Sequence, residues 1–463
     1  MATKQIQDAR IQQLNDKEVK DKRYVLYWMQ SSQRTEYNHA LEYAVQQANE
    51  LEQRLLVCFG LMDDYPEANA RHYTFMLEGL QEVETSLKER NIKFVVQQGS
   101  PDEVALRLGE DASLIVCDRG YLRNQRQWRE NVANKADCLV TQVESDVVVP
   151  VELVSDKKEY AARTIRPKIQ KHLDDFLVEL NTTSIDKSSK SMSVDGLDLS
   201  DIPALVDDLE LDKSVESVSH LFKGGTSQAK AVLDDFIEDK FSSYESNRNQ
   251  PQTSDVSHMS KYLHFGQISP VYIALQIQEA HTSQSNIDAY LEEVIIRREL
   301  PMNFVYYMPD TYDAYDNLPD WAQETLQEHK DDEREYVYSR QELEDAQTHD
   351  DYWNAAMREM RYTGYMHNYM RMYWGKKILE WSNTPKYAYK TTLYLNNKYF
   401  LDGRDPNSFA NVAWVFGQHD RGWTERDVLG KVRYMSAGGL ERKAKPDKYV
   451  EKVDNLIEQG KAP

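Results

Sequence analysis

The sequence predicts two architectures in one chain: an open, doubly wound α/β domain with a parallel sheet over roughly residues 20–150, and an all-helical domain over 226–460. A connector at 151–225 joins them. Three observations carry this reading. Short apolar, β-branched runs alternate with helical periodicity through the first third of the chain. Beyond residue 226 strand patterns are scarce and helical ones dominate. A length of 463 residues, 40% hydrophobic and 11% aromatic, suits two or three domains around large cores.

Residues 1–22 are polar and read as a frayed end or a loosely docked helix. Arg23-Tyr24-Val25-Leu26-Tyr27-Trp28-Met29 reads as a buried strand, with helical periodicity after it across 35–53. Leu55-Leu56-Val57-Cys58-Phe59-Gly60 is a second strand. A helix near 70–90 leads to Lys93-Phe94-Val95-Val96, another after Pro101 leads to Leu114-Ile115-Val116-Cys117-Asp118, and Cys138-Leu139-Val140-Thr141 is the fifth. The first strand runs into Gln30-Ser31-Ser32-Gln33 and lacks Gly-x-Gly-x-x-Gly, so a standard NAD site is not expected. In the connector, a helical stretch from Tyr160 to about Leu180 precedes a Ser/Thr/Asp-rich flexible loop at 181–201. Gly224-Gly225 then punctuates, with Thr226 or Ser227 expected to cap a helix carrying Leu233, Phe236 and Ile237. Helices are expected at 287–300, 353–361 and 367–382, and a last amphipathic one at 446–460.

Composition excludes some classes. No apolar run approaches the roughly 18 residues of a membrane span, and the N-terminus has no apolar signal-peptide core. Cys58, Cys117 and Cys138 are odd in number and without ligand spacing, which fits reduced core thiols in a cytoplasm. No cluster of residues has the spacing of a metal site. A formal charge of −21 argues against binding of nucleic acid by the whole surface, but screening over about 8–10 Å leaves room for a local basic patch. From Arg421 to Lys452 there are nine Arg/Lys against five Asp/Glu, so basic charge is concentrated there, whereas 324–350 is acidic. A solvated helical face is the ordinary meaning of such a run; phosphate contact is the functional one.

The chemistry is concentrated between Arg371 and Trp423. Asp402-Gly403-Arg404-Asp405-Pro406-Asn407 is turn chemistry, yet it keeps company with Trp374, Trp381, Trp414 and Trp423. Buried charges must be paired, so Arg371 or Arg404 facing Asp402 or Asp405 beside aromatic walls would suit a polar, planar ligand. Trp374 and Trp381 are seven apart and share a helical face about 10 Å apart; they are core anchors or, because indole is oxidisable, steps for electron transfer. Ser257 and Ser260, ahead of Tyr262-Leu263-His264-Phe265-Gly266, are helix caps or phosphate holders. Glu293 and Arg297, four apart, predict a surface ion pair.

These strings, above all 262–266, 364–381 and 396–423, resemble the class II cyclobutane-pyrimidine-dimer photolyases of the cryptochrome/photolyase flavoproteins, along nearly the whole chain and most weakly in 1–20 and 181–225. The resemblance implies a Rossmann-like N-terminal domain and a helical domain that binds FAD non-covalently, active when fully reduced. It implies light-driven splitting of dimers flipped out of UV-damaged DNA by a soluble, monomeric, cytoplasmic, nucleoid-associated or nuclear enzyme. By resemblance, Tyr244 and the loop Val256, Ser257, His258, Met259 and Ser260 hold the flavin phosphates, with Val256 and His258 contributing mainly backbone. Arg371 and Asp402 form the ion pair over the flavin ring, Gly403, Arg404 and Asp405 complete the turn around it, and Asn396 lies next to flavin N5. Glu293 hydrogen-bonds the damaged pyrimidines and Trp414 stacks on them, while Trp374, Trp381 and Trp353 form the electron chain. Some relatives carry Trp where this chain has Arg297.

The same resemblance places Asp420-Arg421 as a conformation-setting pair near the site. The DNA-binding candidates are Arg248, Arg297, Trp414, Trp423, Arg426, Lys431, Arg433, Arg442 and Lys443. An antenna chromophore of deazaflavin or folate type is expected between the two domains, if one is bound. The competing readings are a cryptochrome-like photoreceptor without repair activity, against which Glu293, Trp414 and the basic segment favour repair, and a (6-4) photolyase, which would need histidines placed for that lesion. His258, His264, His367 and His419 exist, but the strings around them resemble class II more closely.

Overall fold

The computed structural model describes residues 6–460. Its sheet has six strands: β1 (Ile11–Gln13), β2 (Tyr24–Trp28), β3 (Arg54–Leu61), β4 (Lys93–Gln98), β5 (Ala112–Asp118) and β6 (Leu139–Val143), in the spatial order β1-β6-β5-β2-β3-β4. All pairs are parallel except β1 with β6. The helices α1 (His39–Glu50), α2 (Ala70–Glu89), α3 (Pro101–Gly109) and α4 (Arg123–Lys135) make the crossovers. Every residue of β2 is buried, as a strand covered on both faces requires.

The extra strand corrects the reading of residues 6–22, while residues 1–5 lie outside the described residues. Ile11 pairs with Val143, and the buried Arg10 donates to the carbonyls of Glu144, Val147 and Val148. A three-residue edge strand exposes most of its side chains, so it carries no apolar pattern to read. Residues 181–201, expected as a flexible loop, are laid along the outer edge at β4 instead. Leu197 N–H donates to Val96 O, Lys93 N–H donates to Ser189 Oγ, and Ser189 and Leu199 are buried. The helical stretch expected to Leu180 is two short helices, Ala162–Gln170 and Leu173–Phe176.

The chain runs outward from β2 to β4 and returns to β5, so the topological switch point lies between β2 and β5. There the Asp118 carboxylate accepts from the backbone N–H groups of Gln30, Ser31 and Ser32 at 2.8–2.9 Å and from the Tyr27 hydroxyl at 2.7 Å. The donors that such a domain offers to a nucleotide phosphate are thus occupied by the protein's own carboxylate.

The remaining helices pack into the second domain. Helix Thr226–Asp239 begins one residue earlier than expected: Gly225, at φ 126°, is its N-cap, while Thr226 Oγ1 donates to Gln267 O and Ser227 to Glu82. Helices Asp351–Thr363, Asn368–Trp381 and Pro446–Gly460 lie where periodicity predicted them. The two domains are keyed together at the start of α2. Buried Arg71 donates to the carbonyls of Met360, Arg361, Tyr399 and Glu216, and Asn69 donates to Lys398 O. Among the described residues no helix is long and apolar enough to cross a membrane, and no cluster of three or more His, Cys, Asp or Glu is arranged to hold a metal.

Candidate active site

A cleft of ≈ 1200 Å³ opens in the helical domain. One wall is the loop Val256–Ser260 with Tyr244 beside it; another is Arg371 and Asp402; Glu293, Asn407 and Asn411 lie on a further side. Arg371 projects from helix Asn368–Trp381, its Nη1 3.0 Å from Asp402 Oδ1 and its Nε donating to Met366 O. The guanidinium lies 3.9 Å from the Phe400 ring centroid. In the loop, His258 is left-handed at φ 55° and its buried Nδ1 has no hydrogen-bond partner among the described residues. Ser257 Oγ accepts from the buried Tyr290 hydroxyl at 2.8 Å, while Ser260 is exposed.

Glu293 reaches the cleft by a route the sequence did not show. Residues Glu292–Arg297 form a π-helix between two α-helices, Gln284–Leu291 and Arg298–Tyr307. With i→i+5 spacing it is Glu292, not Glu293, that meets Arg297, at 3.0 Å, and Glu292 also holds Arg166. Glu293 is released to pair with Arg248 at 2.7 Å, bringing a carboxylate and a guanidinium together at the cleft.

The expected cofactor turn divides in two. Asp402 faces the cleft, but Arg404 turns away. At φ 62° it is fully buried, donates to Asn397 O at 2.6 Å and approaches His72 Nε2 at 3.1 Å; burial pushes it down to about 10. Gly403 is required by close approach, because a Cβ there would stand 2.9 Å from the carbonyl oxygens of Asn396 and Phe400. Asn396 does not line the cleft either; buried against Gly403, it donates to Asn397 Oδ1. Asp405 caps helix Pro406–Val415 through Asn407 N–H and pairs with His264 Nδ1 at 3.2 Å.

The tryptophans lead outward from the cleft. Trp374 packs 6.2 Å from Phe400, and Trp353 Nε1 donates to Trp374 O at 3.0 Å. The Trp353 and Trp381 rings are 5.8 Å apart. Beyond Trp381 the ring contacts continue to His349 at 5.1 Å and Tyr338 at 5.6 Å, and on to the exposed Tyr336, stacked 3.6 Å from His349. None of these last three was singled out from sequence, because they lie in the acidic segment and no local pattern sets them apart.

Trp414, half-buried, lies outside the cleft lining between two cations: Lys376 Nζ at 4.7 Å and Arg433 at 5.7 Å from its ring. Arg433 also covers the exposed Trp423 at 5.0 Å, and Arg421 lies 5.4 Å from the same ring. Asp420 Oδ1 accepts from Arg421 N–H at 2.9 Å and from Trp423 Nε1 at 3.3 Å, so it orders this turn through one backbone and one indole donor. Arg297, Arg426, Lys431, Arg442 and Lys443 are exposed, and Gln250 donates to Lys443 O, joining the Arg248 side to the C-terminal basic side.

A family model for DNA photolyase matches residues 25–186. The chain is 50% identical over 437 residues to a deoxyribodipyrimidine photo-lyase of Methanothermobacter thermautotrophicus, covering 94% of this chain and 96% of that one. It belongs to the DNA photolyase family.

The deoxyribodipyrimidine photo-lyase of Arabidopsis thaliana is 38% identical over 444 residues, covering 94% and 89% of the two chains. In fold, this photolyase chain is similar to a bacterial class III photolyase from Agrobacterium tumefaciens, with a TM-score of 0.75 at 18% identity over 95% of this chain and 88% of that one. A cryptochrome of Synechocystis has a TM-score of 0.72 at 15% identity, over 93% and 88%. A photolyase and a cryptochrome thus share the scaffold, and fold alone does not fix activity.

The photolyase has a second cavity, of ≈ 1020 Å³, where the carboxyl ends of the strands meet the helical domain. Phe59, Tyr65, Trp128 and Phe265 give it aromatic walls, and Arg119, Arg298 and Arg404 bring charge. Leu263, His264, Arg298 and Asp405 line both cavities, so Arg404 belongs to the second while its neighbour Asp405 divides the two.

Proposed function

We propose that this photolyase repairs cyclobutane pyrimidine dimers in UV-damaged DNA under light, with FAD held in the Arg371–Asp402 cleft, and that it is of the class II type. The observation that carries this is full-length identity of 50% to a deoxyribodipyrimidine photo-lyase, joined to a cleft whose polar groups match the cofactor. The residues fit FAD: hydroxyls of Ser257 and Ser260 and the partnerless His258 Nδ1 at one end, and a charge pair against Phe400 at the other. Reduced FAD, when bound and excited, supplies the electron that opens the cyclobutane ring and takes it back.

What the chain supplies is placement and electrostatics. The Arg371–Asp402 pair presents one positive and one negative edge to a planar polar ring without adding net charge. Glu293, paired with Arg248, offers a carboxylate acceptor to a pyrimidine N–H, and the Arg248 guanidinium offers donors to the carbonyl side, where charge develops. Trp414 gives the extruded bases an aromatic face, and Trp423 with Arg421, Arg426, Lys431, Arg433, Arg442 and Lys443 gives the duplex a cationic one. Trp374, Trp353 and Trp381 refill the cofactor's electrons from the surface. The second cavity is the seat of an antenna chromophore of deazaflavin or folate type, and the enzyme acts as a monomer.

Reduced protein is illuminated with blue light, without oxygen, in the presence of a thymine-dimer oligonucleotide, and intact thymines are followed by chromatography. Light-dependent restoration is the expected result. A flavin-loaded, fully reduced sample that restores nothing overturns the repair reading in favour of photoreception.

A further inference from the structure

Directly after the loop Val256–Ser260 comes Lys261, a residue only 1% exposed. Its Nζ donates to His258 O at 3.0 Å, the one hydrogen bond the ammonium makes among the described residues. Its other neighbours are ring faces: Phe222 at 3.8 Å, Tyr365 at 5.5 Å and Tyr262 at 5.6 Å from Nζ. An ammonium has three donors, so this cation is under-satisfied where it lies. The residue it holds is the strained one. His258 carries a left-handed φ, its ring wedged between Tyr365 at 4.6 Å and Phe222 at 5.3 Å. A non-glycine residue persists in that conformation only where its surroundings over-determine it.

We propose that Lys261 is the positioning residue of the flavin-phosphate loop: it pins the left-handed turn at His258 through the carbonyl and places behind the loop a buried amine whose charged form a bound anion favours. The inference rests on FAD occupying the cleft. The charged and titratable groups around Lys261 are Asp402, which favours its charged form, Arg371, which opposes it, and the neutral His258, Tyr262 and Tyr365. Burial is the largest influence and brings the ammonium down to about 7. Above neutral pH the empty protein therefore holds Lys261 largely uncharged. Arrival of a diphosphate returns the charged form, and one proton passes from solvent to Nζ.

The test is calorimetric titration of the flavin-free full chain with FAD at pH 8, in buffers of different ionisation enthalpy. Wild-type protein is expected to take up a fraction of a proton on binding, with affinity falling as pH rises through 7 to 9. Lys261→Arg, charged throughout, is expected to bind with no proton uptake and a flat pH profile. Lys261→Met, which keeps the length and loses the donor, is expected to bind about tenfold more weakly. Wild-type protein that binds no FAD overturns the reading of the cleft itself. Binding without proton uptake, or with the same uptake in Lys261→Arg, overturns the role of Lys261. Should Lys261→Met not fold, the comparison of wild type with Lys261→Arg decides alone.

Discussion

Arg371 and Asp402 are 31 positions apart and meet at 3.0 Å, the kind of pairing a local pattern does not encode. Their residue types were legible, because charges beside aromatics in a buried stretch must find partners. Arg404, expected beside them, has a left-handed backbone and a side chain that lines the other cavity, away from Asp402. At this scale the tryptophans make the sharpest prediction. Trp374 lies nearest the cleft through Phe400, so Trp374→Phe breaks the series at its inner end. Photoreduction of oxidised flavin is expected to be abolished in this variant. Repair by chemically pre-reduced enzyme is expected to stay within about twofold of wild type, because that reaction does not draw on the electron chain and Phe keeps an aromatic ring in the buried position. Equal loss of both activities removes Trp374 from the electron path.

Helix Asn368–Trp381 carries Arg371, Trp374 and Trp381 together, and its N-cap is His367, whose Nδ1 accepts from Tyr369 N–H at 3.2 Å. Burial, with Lys452 and Arg371 nearby, pushes this imidazole down to about 3. A histidine depressed below its ordinary value of about 6.5 contributes stability that is whole above that pH and lost as pH falls toward the folded value. Protonation would both remove the cap and set a second cation beside Arg371. His367→Asn, which caps without titrating, is expected to flatten the acid limb of stability between pH 6.5 and 3, measured by urea unfolding. His367→Ala is expected to cost about 1 kcal/mol at pH 7. An unchanged acid limb in His367→Asn excludes His367 as its source. The π-helix Glu292–Arg297 is the element whose reading went furthest astray: α-helical spacing coupled Glu293 to Arg297, and one extra residue per turn reassigned both partners. Periodicity in the sequence is helical in either case, so only backbone geometry decides.

Across the whole molecule, a chain of formal charge −21 exposes Arg421, Arg426, Lys431, Arg442 and Lys443 within the short segment that also carries the Arg433–Trp423 contact. Binding to a polyanion is then a matter of local potential and not of net charge. Reversal of Lys431 and Arg433 to Glu is expected to weaken binding to dimer-containing DNA and to lower the salt slope by about 1 per lost phosphate contact. Unchanged affinity across a salt series removes this face from the interface. The same scale explains the seam between domains. Arg71 satisfies carbonyls at the ends of helices Asp351–Thr363 and Pro385–Tyr399, so the α/β domain is fastened within a few residues of the Asp402 turn.

Residue type, periodicity and turn chemistry determined the alternation of strands and helices, the helical second domain, the terminal helix and the chemistry-bearing stretch from Arg371 to Trp423. Those properties are local, written within one or two turns of chain. The edge strand β1, the docking of 181–201 along β4, the Asp118 carboxylate at the switch point, the exchange of partners at Glu292 and Glu293, and the desertion of the cleft by Arg404 were decided by tertiary structure alone. Each depends on a partner distant in sequence or on a backbone conformation that the side-chain pattern does not report, and packing selects it only once the domains have closed on one another.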